Sequence, residues 1–213
     1  MPDQESLRDQ VVKYILTQIQ YLKLLPGQII NEVALAKELN VSRTPVREAM
    51  IRLVADGVLI KVPRKGYTLV EVDRRQIDNT HEIIAVLDGY AAAIALPSIT
   101  HEDLWHMREI VDKIDVAIRY RNFPEYYMLQ EEFHDIYVSK CGNPILIQML
   151  KTFKGGPVRQ TYFSENQDRL FQVLEEGQLQ HREIVRLFEQ GDAGQLERYL
   201  REVHWHTAYP DMI

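Results

Sequence analysis

The sequence has almost no sulfur chemistry to offer: one cysteine, Cys141, in 213 residues. That excludes an internal disulfide and any cysteine-built zinc cluster, and it suits a reducing cytoplasm. Long apolar runs are missing as well. A bilayer span needs roughly 18 consecutive apolar residues, and the longest helical apolar run, GYAAAIAL at 89–96, falls far short. The opening MPDQESLRDQ is polar and acidic and contains no apolar signal segment. A cytoplasmic protein with no membrane attachment is expected. Also absent are G-x-S-x-G, H-E-x-x-H, a Walker loop and a dinucleotide fingerprint, the motifs that place a nucleophile, a metal-assisted base or a phosphate cradle. The sequence shows no internal repeat and no low-complexity segment.

What is present is enough apolar material for a real core, 46% of residues, and a charge that is unevenly spread. Residues 1–70 hold ten Lys/Arg against seven Asp/Glu, a balance of +3; the remainder holds fifteen against twenty-four, −9. That asymmetry points to a basic module joined to an acidic one.

Periodicity separates the same two parts. Residues 5–21 carry Leu7, Val11, Val12, Ile15, Leu16 and Ile19 at helical spacing, and LLPGQ at 24–28 stops the helix. A second helix is predicted at 32–39, followed by a tight break at Asn40-Val41. Ser42 is the expected N-cap of a third helix, with Thr44 and Pro45 in its first turn, where a missing N–H costs nothing. Val46, Met50, Leu53 and Val54 are expected on its buried face, and Gly57 ends it. VLIKV, the basic turn Pro63-Arg64-Lys65-Gly66 and YTLVEV then read as a hairpin. Three helices and a hairpin in about 70 residues describe a winged helix-turn-helix. Beyond Asp73 the period is helical throughout: 76–96, 100–119, 125–140, 144–155, 165–190 and 192–207, with a cap at Thr100-Asp103. The fold class is therefore mainly α. A winged helix-turn-helix over 1–73 is followed by an all-helical bundle of about six helices over 74–213, with no long linker, so the two are expected to touch.

In NVSRTPVREAM, Arg43 and Arg47 are four residues apart and share a helical face, opposite Val46, Met50 and Leu53. Ser42 and Thr44 stand on the same side. Arginine binds guanine O6 and N7 in pairs or anchors on phosphate, and a helix N-terminus offers N–H groups to phosphate. Arg64 and Lys65 mark the hairpin tip, where Gly66 is expected to allow close backbone approach to a groove. The ordered set predicts binding to double-stranded DNA.

The stretch EVALAKELNVSRTPVREAMIRLVADGVLIKVPRKGYTLVEV, 32–72, resembles the N-terminal domain of GntR-type bacterial transcription regulators. The resemblance implies base and phosphate contacts for Arg43 and Arg47, a backbone contact for Thr44 and a wing-tip position for Gly66. Many such regulators also carry an arginine at the start of the second helix, where this chain has Glu32-Val33.

Three histidines in the acidic half, His134, His181 and His204, each fall in a long predicted helix. Imidazoles from separate helices can converge on a zinc-like ion, although an isolated helical histidine is more often a packed or surface residue. FH…GNP followed by H…I…GD resembles the FCD effector domain of the FadR-like branch of this family. That resemblance implies a divalent metal, zinc or nickel-like, held by His134, His181 and a histidine of the last helix, and helping to hold a small organic or sugar acid. Gln130 occupies the position usual for an aspartate ligand, and Glu131 is the possible substitute. The usual spacing in the last helix lands near Val203, so His204 serves only if that helix is shifted; His206 is the poorer choice. Ile84 stands where many relatives place an anion-binding arginine. The expected protein is a homodimeric transcription regulator, a repressor by the commoner mode, reading a palindromic operator under control of a small-molecule effector. The alternatives are a metal-dependent hydrolase or lyase using the same histidines, and a helical scaffold.

Overall fold

The computed structural model describes residues 6–20, 23–70, 74–155 and 167–206. Expectations for residues 5, 21, 71–73, 165–166 and 207 lie outside the described residues. The chain divides into two compact units, Met1–Val72 and Asp73–Ile213.

In the first unit, α1 (Leu7–Gln20), α2 (Glu32–Glu38) and α3 (Arg43–Ala55) precede an antiparallel pair, β1 (Leu59–Val62) and β2 (Gly66–Leu69). Asn31 caps α2, its Oδ1 accepting from the N–H groups of Val33 and Ala34 at 2.9 and 3.2 Å. The break after α2 is a left-handed cap. Asn40 takes φ 52°, and the N–H groups of Asn40 and Val41 return to the carbonyls of Lys37 and Ala36. Gly57, at φ 72°, closes α3 the same way, with Val58 N–H on Leu53 O. Val11, Ile15, Leu35, Val46, Met50 and Leu53 form the core. One sequence expectation fails at its rim: Val54 is exposed while Pro45 and Ala49 are buried on α3, because the 3.6-residue turn carries Val54 about 40° past Met50, itself at the edge of the buried face. Ser42 has the extended backbone of an N-cap, but its hydroxyl makes no capping hydrogen bond.

The second unit is all helical: α4 (Arg74–Ala95), α5 (His101–Arg119), α6 (Phe123–Val138), α7 (Pro144–Gly155), α8 (Gln167–Gln190) and α9 (Ala193–Tyr199). Thr100 and Asp103 form a reciprocal capping box at the start of α5. Ile84, Met107, Ile110, Phe133, Leu150 and Ile184 are among the residues of its core, so the position of the family's arginine is packed apolar. The last helix does not end regularly. After α9 the chain runs through a π turn, Leu200–His204, in which the Trp205 N–H bonds the Leu200 carbonyl, five residues back, at 3.1 Å. A π turn fits one extra residue into a helix and rotates everything after it.

Candidate functional site

The face expected to read DNA begins at the N-terminus of α3. Ser42, Arg43, Thr44 and Arg47 are all exposed, while Val46, Ala49 and Met50 are completely buried. Neither arginine is unengaged. Glu32, at the start of α2, accepts from Arg47 Nε and Nη2 at 3.3 Å each and lies 3.7 Å from Arg43 Nη2. Its other oxygen accepts the Tyr67 hydroxyl at 3.2 Å. Sequence reasoning noted Glu32 only as a missing cation; the fold brings it across 15 residues onto both arginines.

The turn between β1 and β2 has Pro63 in its second position and Arg64, at φ 64°, in its third, closed by Lys65 N–H on Val62 O at 3.1 Å. Arg64 and Lys65 are exposed at the tip. Gly66 answers a different demand from the one the sequence suggested. It opens β2 at φ 138°, and a Cβ there would stand 2.3 Å from the Ile30 carbonyl oxygen. Ile30 pairs with Tyr67 through two backbone hydrogen bonds, at 2.7 and 3.0 Å. The glycine is needed for the wing to close against the segment before α2.

In the helical unit, α6, α8 and the π turn bring His134, His181 and His204 together, one ring nitrogen from each lying within 4.8 Å of the others. The hydrogen bonds fix the tautomers. Tyr137 donates its hydroxyl to Asp88 at 2.5 Å, so its oxygen is left to accept from His134 Nδ1, also at 2.5 Å. Gln178 donates its amide to Val111 O and Asp115, which turns Oε1 toward His181 Nδ1 at 3.1 Å. His204 Nδ1 meets Gln180 Oε1 at 3.0 Å. Nδ1 of His134 and of His181 are thus donors, leaving bare lone pairs on their Nε2 atoms, and the Gln180 oxygen facing His204 Nδ1 favours the same tautomer there. His134 Nε2 and His204 Nε2 face each other at 3.1 Å, and His181 Nε2 is buried with no hydrogen-bond partner among the described residues.

A cation shared between the two would satisfy both nitrogens at that distance. Burial makes a proton a poor one: it lowers His134 to about 4, aided by the charge of Lys154, and holds His181 and His204 well below the ordinary histidine value. The π turn is what brings His204 in. Counting in plain α-helix points to Val203, which is exposed, and the extra residue carries the inward position on to His204. Glu131 is exposed and outside the cluster, as is His206. Gln130, one turn before His134, has its Oε1 buried and without a hydrogen-bond partner among the described residues.

Behind His134 lies a network that the sequence did not reveal. Asp88 is fully buried and lies 3.3 Å from His134 Nδ1. It also accepts from Tyr137, from Trp205 Nε1 at 2.9 Å and from Lys154 Nζ at 2.6 Å. Burial pushes its carboxyl up, but Lys154 and His134 outweigh that and hold it well below the usual range. Lys154 also lies over the Trp205 ring, 5.0 Å from its centre. The Leu87-Asp88 pair was visible in the sequence; nothing there marked Lys154 or Trp205 as its partners.

Comparison with known proteins agrees with this division. The FCD domain profile matches residues 79–204, and that of the bacterial regulatory proteins of the gntR family matches residues 7–69. The HTH-type transcriptional regulator McbR of Escherichia coli is 31% identical over 146 residues, 68% of this chain and 66% of its own length. The Nta operon transcriptional regulator of Aminobacter aminovorans is 32% identical over 127 residues, 60% of each chain. The matched region thus spans less than two thirds of these relatives' lengths. Among solved structures, E. coli McbR/YncC superposes with a TM-score of 0.75 at 26% identity, over 93% of each chain. A regulator from a Rhodococcus species shares the fold, with a TM-score of 0.73 at 19% identity over 95% of this chain and 98% of its own.

Proposed function

Since the chain belongs to the gntR family of bacterial regulatory proteins and carries an FCD domain over more than half its length, we propose that it is a sequence-specific DNA-binding transcription regulator, most simply a repressor. Its first unit, Met1–Val72, reads the operator; its second, Asp73–Ile213, holds the effector and joins two copies. The observation that carries the reading is the exposed arginine pair at the start of α3, backed by a completely buried opposite face. Arg43 and Arg47 supply base and phosphate contacts, Ser42 and Thr44 backbone contacts, and Arg64 and Lys65 a minor-groove or phosphate contact from the wing. Gly66 contributes by setting the wing's position.

The histidine cluster suits a borderline divalent ion, zinc or nickel-like. Three imidazole Nε2 atoms face inward, each with its Nδ1 held by a hydrogen-bond acceptor, the arrangement that orients metal-binding histidines. His134, His181 and His204 would hold it, with the orphaned Gln130 oxygen as a further donor. Once bound, such an ion supplies a Lewis-acidic anchor for an oxyanion. Every one of these donors is neutral, and the charge of Asp88 is already matched by Lys154, so an anionic effector, an organic or sugar acid, is favoured. Tyr137 and Asp88 keep His134 in its orientation, and Gln178 does the same for His181.

A homodimer follows from the same reading, because paired recognition helices match a palindromic operator. Exposed apolar stripes on two helices that pack together, Ile83, Val86 and Tyr90 on α4 and Ile145 and Met149 on α7, favour them as the surface.

The test is DNA binding by the purified chain. A duplex enriched by it from a random-sequence library should bind with strong salt dependence and resist competitor. Arg43→Ala and Arg47→Ala should each weaken binding at least tenfold, on the order of a lost base or phosphate contact, without changing the oligomeric state. Undiminished binding by both variants sinks the assignment.

A further inference from the structure

Among the described residues, Glu32 is the carboxylate that touches both arginines of the proposed reading face, and it is well anchored. Asn31 fixes the start of α2, Tyr67 holds Oε1 from the wing, and the side chain is 17% exposed, against 59% and 56% for Arg43 and Arg47. Three elements of the unit, α2, α3 and β2, therefore meet at one carboxylate. Its use of Arg47 is selective. A guanidinium has five N–H donors, and Glu32 engages the side edge, Nε and Nη2. The end fork of the same group is the edge suited to guanine O6 and N7.

We propose that Glu32 is a specificity-determining residue of the DNA-reading face, acting through Arg43 and Arg47; the inference rests on the DNA-reading assignment above. Glu32 does two things. It occupies the edge of Arg47 that would otherwise take any phosphate, and it holds the end fork outward for a base. It also places one negative charge beside two positive ones. Nonspecific binding is almost wholly a matter of charge neutralised along the backbone, so it suffers most from that placement. A matched sequence recovers the loss through base contacts, which arbitrary DNA does not supply. Specificity is a difference between two affinities, and a built-in competitor widens it by weakening the wrong partner.

The experiment compares wild-type chain, Glu32→Gln, Arg47→Ala and the double variant, on a duplex enriched by the wild-type chain and on the same bases shuffled. Glu32→Gln keeps an acceptor for Tyr67, and circular dichroism and thermal melting check its fold; Glu32→Ala replaces it if it misfolds. The expected result is about a fivefold or greater gain in affinity for shuffled DNA, and a salt dependence steeper by about one ion. The ratio of matched to shuffled affinity should fall, and the effect should shrink by at least half when Arg47 is already alanine, leaving only the part that acts through Arg43. A purely structural glutamate would weaken both duplexes alike and leave the salt slope unchanged. An unchanged ratio and slope in a chain that still needs Arg47 overturns the inference and leaves the regulator reading standing. A wild-type chain that enriches no duplex overturns both.

Discussion

His81 shows how much a single buried side chain can set. It lies on α4 with 4% exposure, neither ring nitrogen has a hydrogen-bond partner among the described residues, and the ring stands 6.0 Å from that of Trp205. Burial lowers it from 6.5 to about 4. Between those values the unfolded chain binds a proton that the folded chain refuses. Stability therefore rises with pH across that window and is lost as pH falls through it. At about 1.4 kcal/mol per pH unit, lowering the pH from 7 to 5 should remove about 2 kcal/mol through His81. Urea unfolding at both values, with chelator present, should show His81→Phe losing that much less than wild type. Equal losses would mean that His81 is not neutral in the fold. The three clustered histidines act in the same direction, so acid lability is reduced in the variant, not abolished.

Among the elements, the helices were legible because their apolar residues recur at helical spacing, and their ends because Asn40, Gly57 and Thr100 carry ordinary capping chemistry. The convergence of His134, His181 and His204 was legible only by family resemblance. What escaped depends on pairing across the fold: Glu32 with Arg47, and Asp88 with Lys154 and Trp205, the last two separated by 66 and 117 residues. The π turn escaped for another reason. It is one misplaced residue in an otherwise regular pattern, and periodicity read over a window averages it away. Its role can be tested by shortening. Deleting Val203 should return the turn to plain α-helix and keep the histidine facing inward, so zinc bound per chain by elemental analysis should match wild type. His134→Ala should lose zinc, on the order of the tenfold or greater effect of disturbing a ligand's surroundings. Loss of zinc in the deletion, or its retention in His134→Ala, would refute this account of the site.

At the scale of the whole molecule, a basic first part and an acidic second part were plain from charge counts alone, and they coincide with the matches to two domain families. Assembly was not, since no pattern in one chain says which exposed residues meet a second copy. The stripe on α4 gives a direct test: Val86, 55% exposed, replaced by arginine, would place a charge at the proposed surface. Sedimentation should show Val86→Arg as a monomer with unchanged helix content and at least tenfold weaker operator binding, as expected when two half-sites are no longer held together. A variant that remains dimeric would move the interface elsewhere.

The seam between Ile30 and Tyr67 has a consequence for the cost of recognition. A free hairpin meeting DNA gives up conformational freedom at the moment of contact, and that loss subtracts from affinity. Here Gly66 lets the segment at Ile30 lie against β2, and the wing backbone is already ordered by two hydrogen bonds of the folded unit. The entropy was given up during folding, so in the proposed DNA-reading role the basic tip would meet the duplex already ordered.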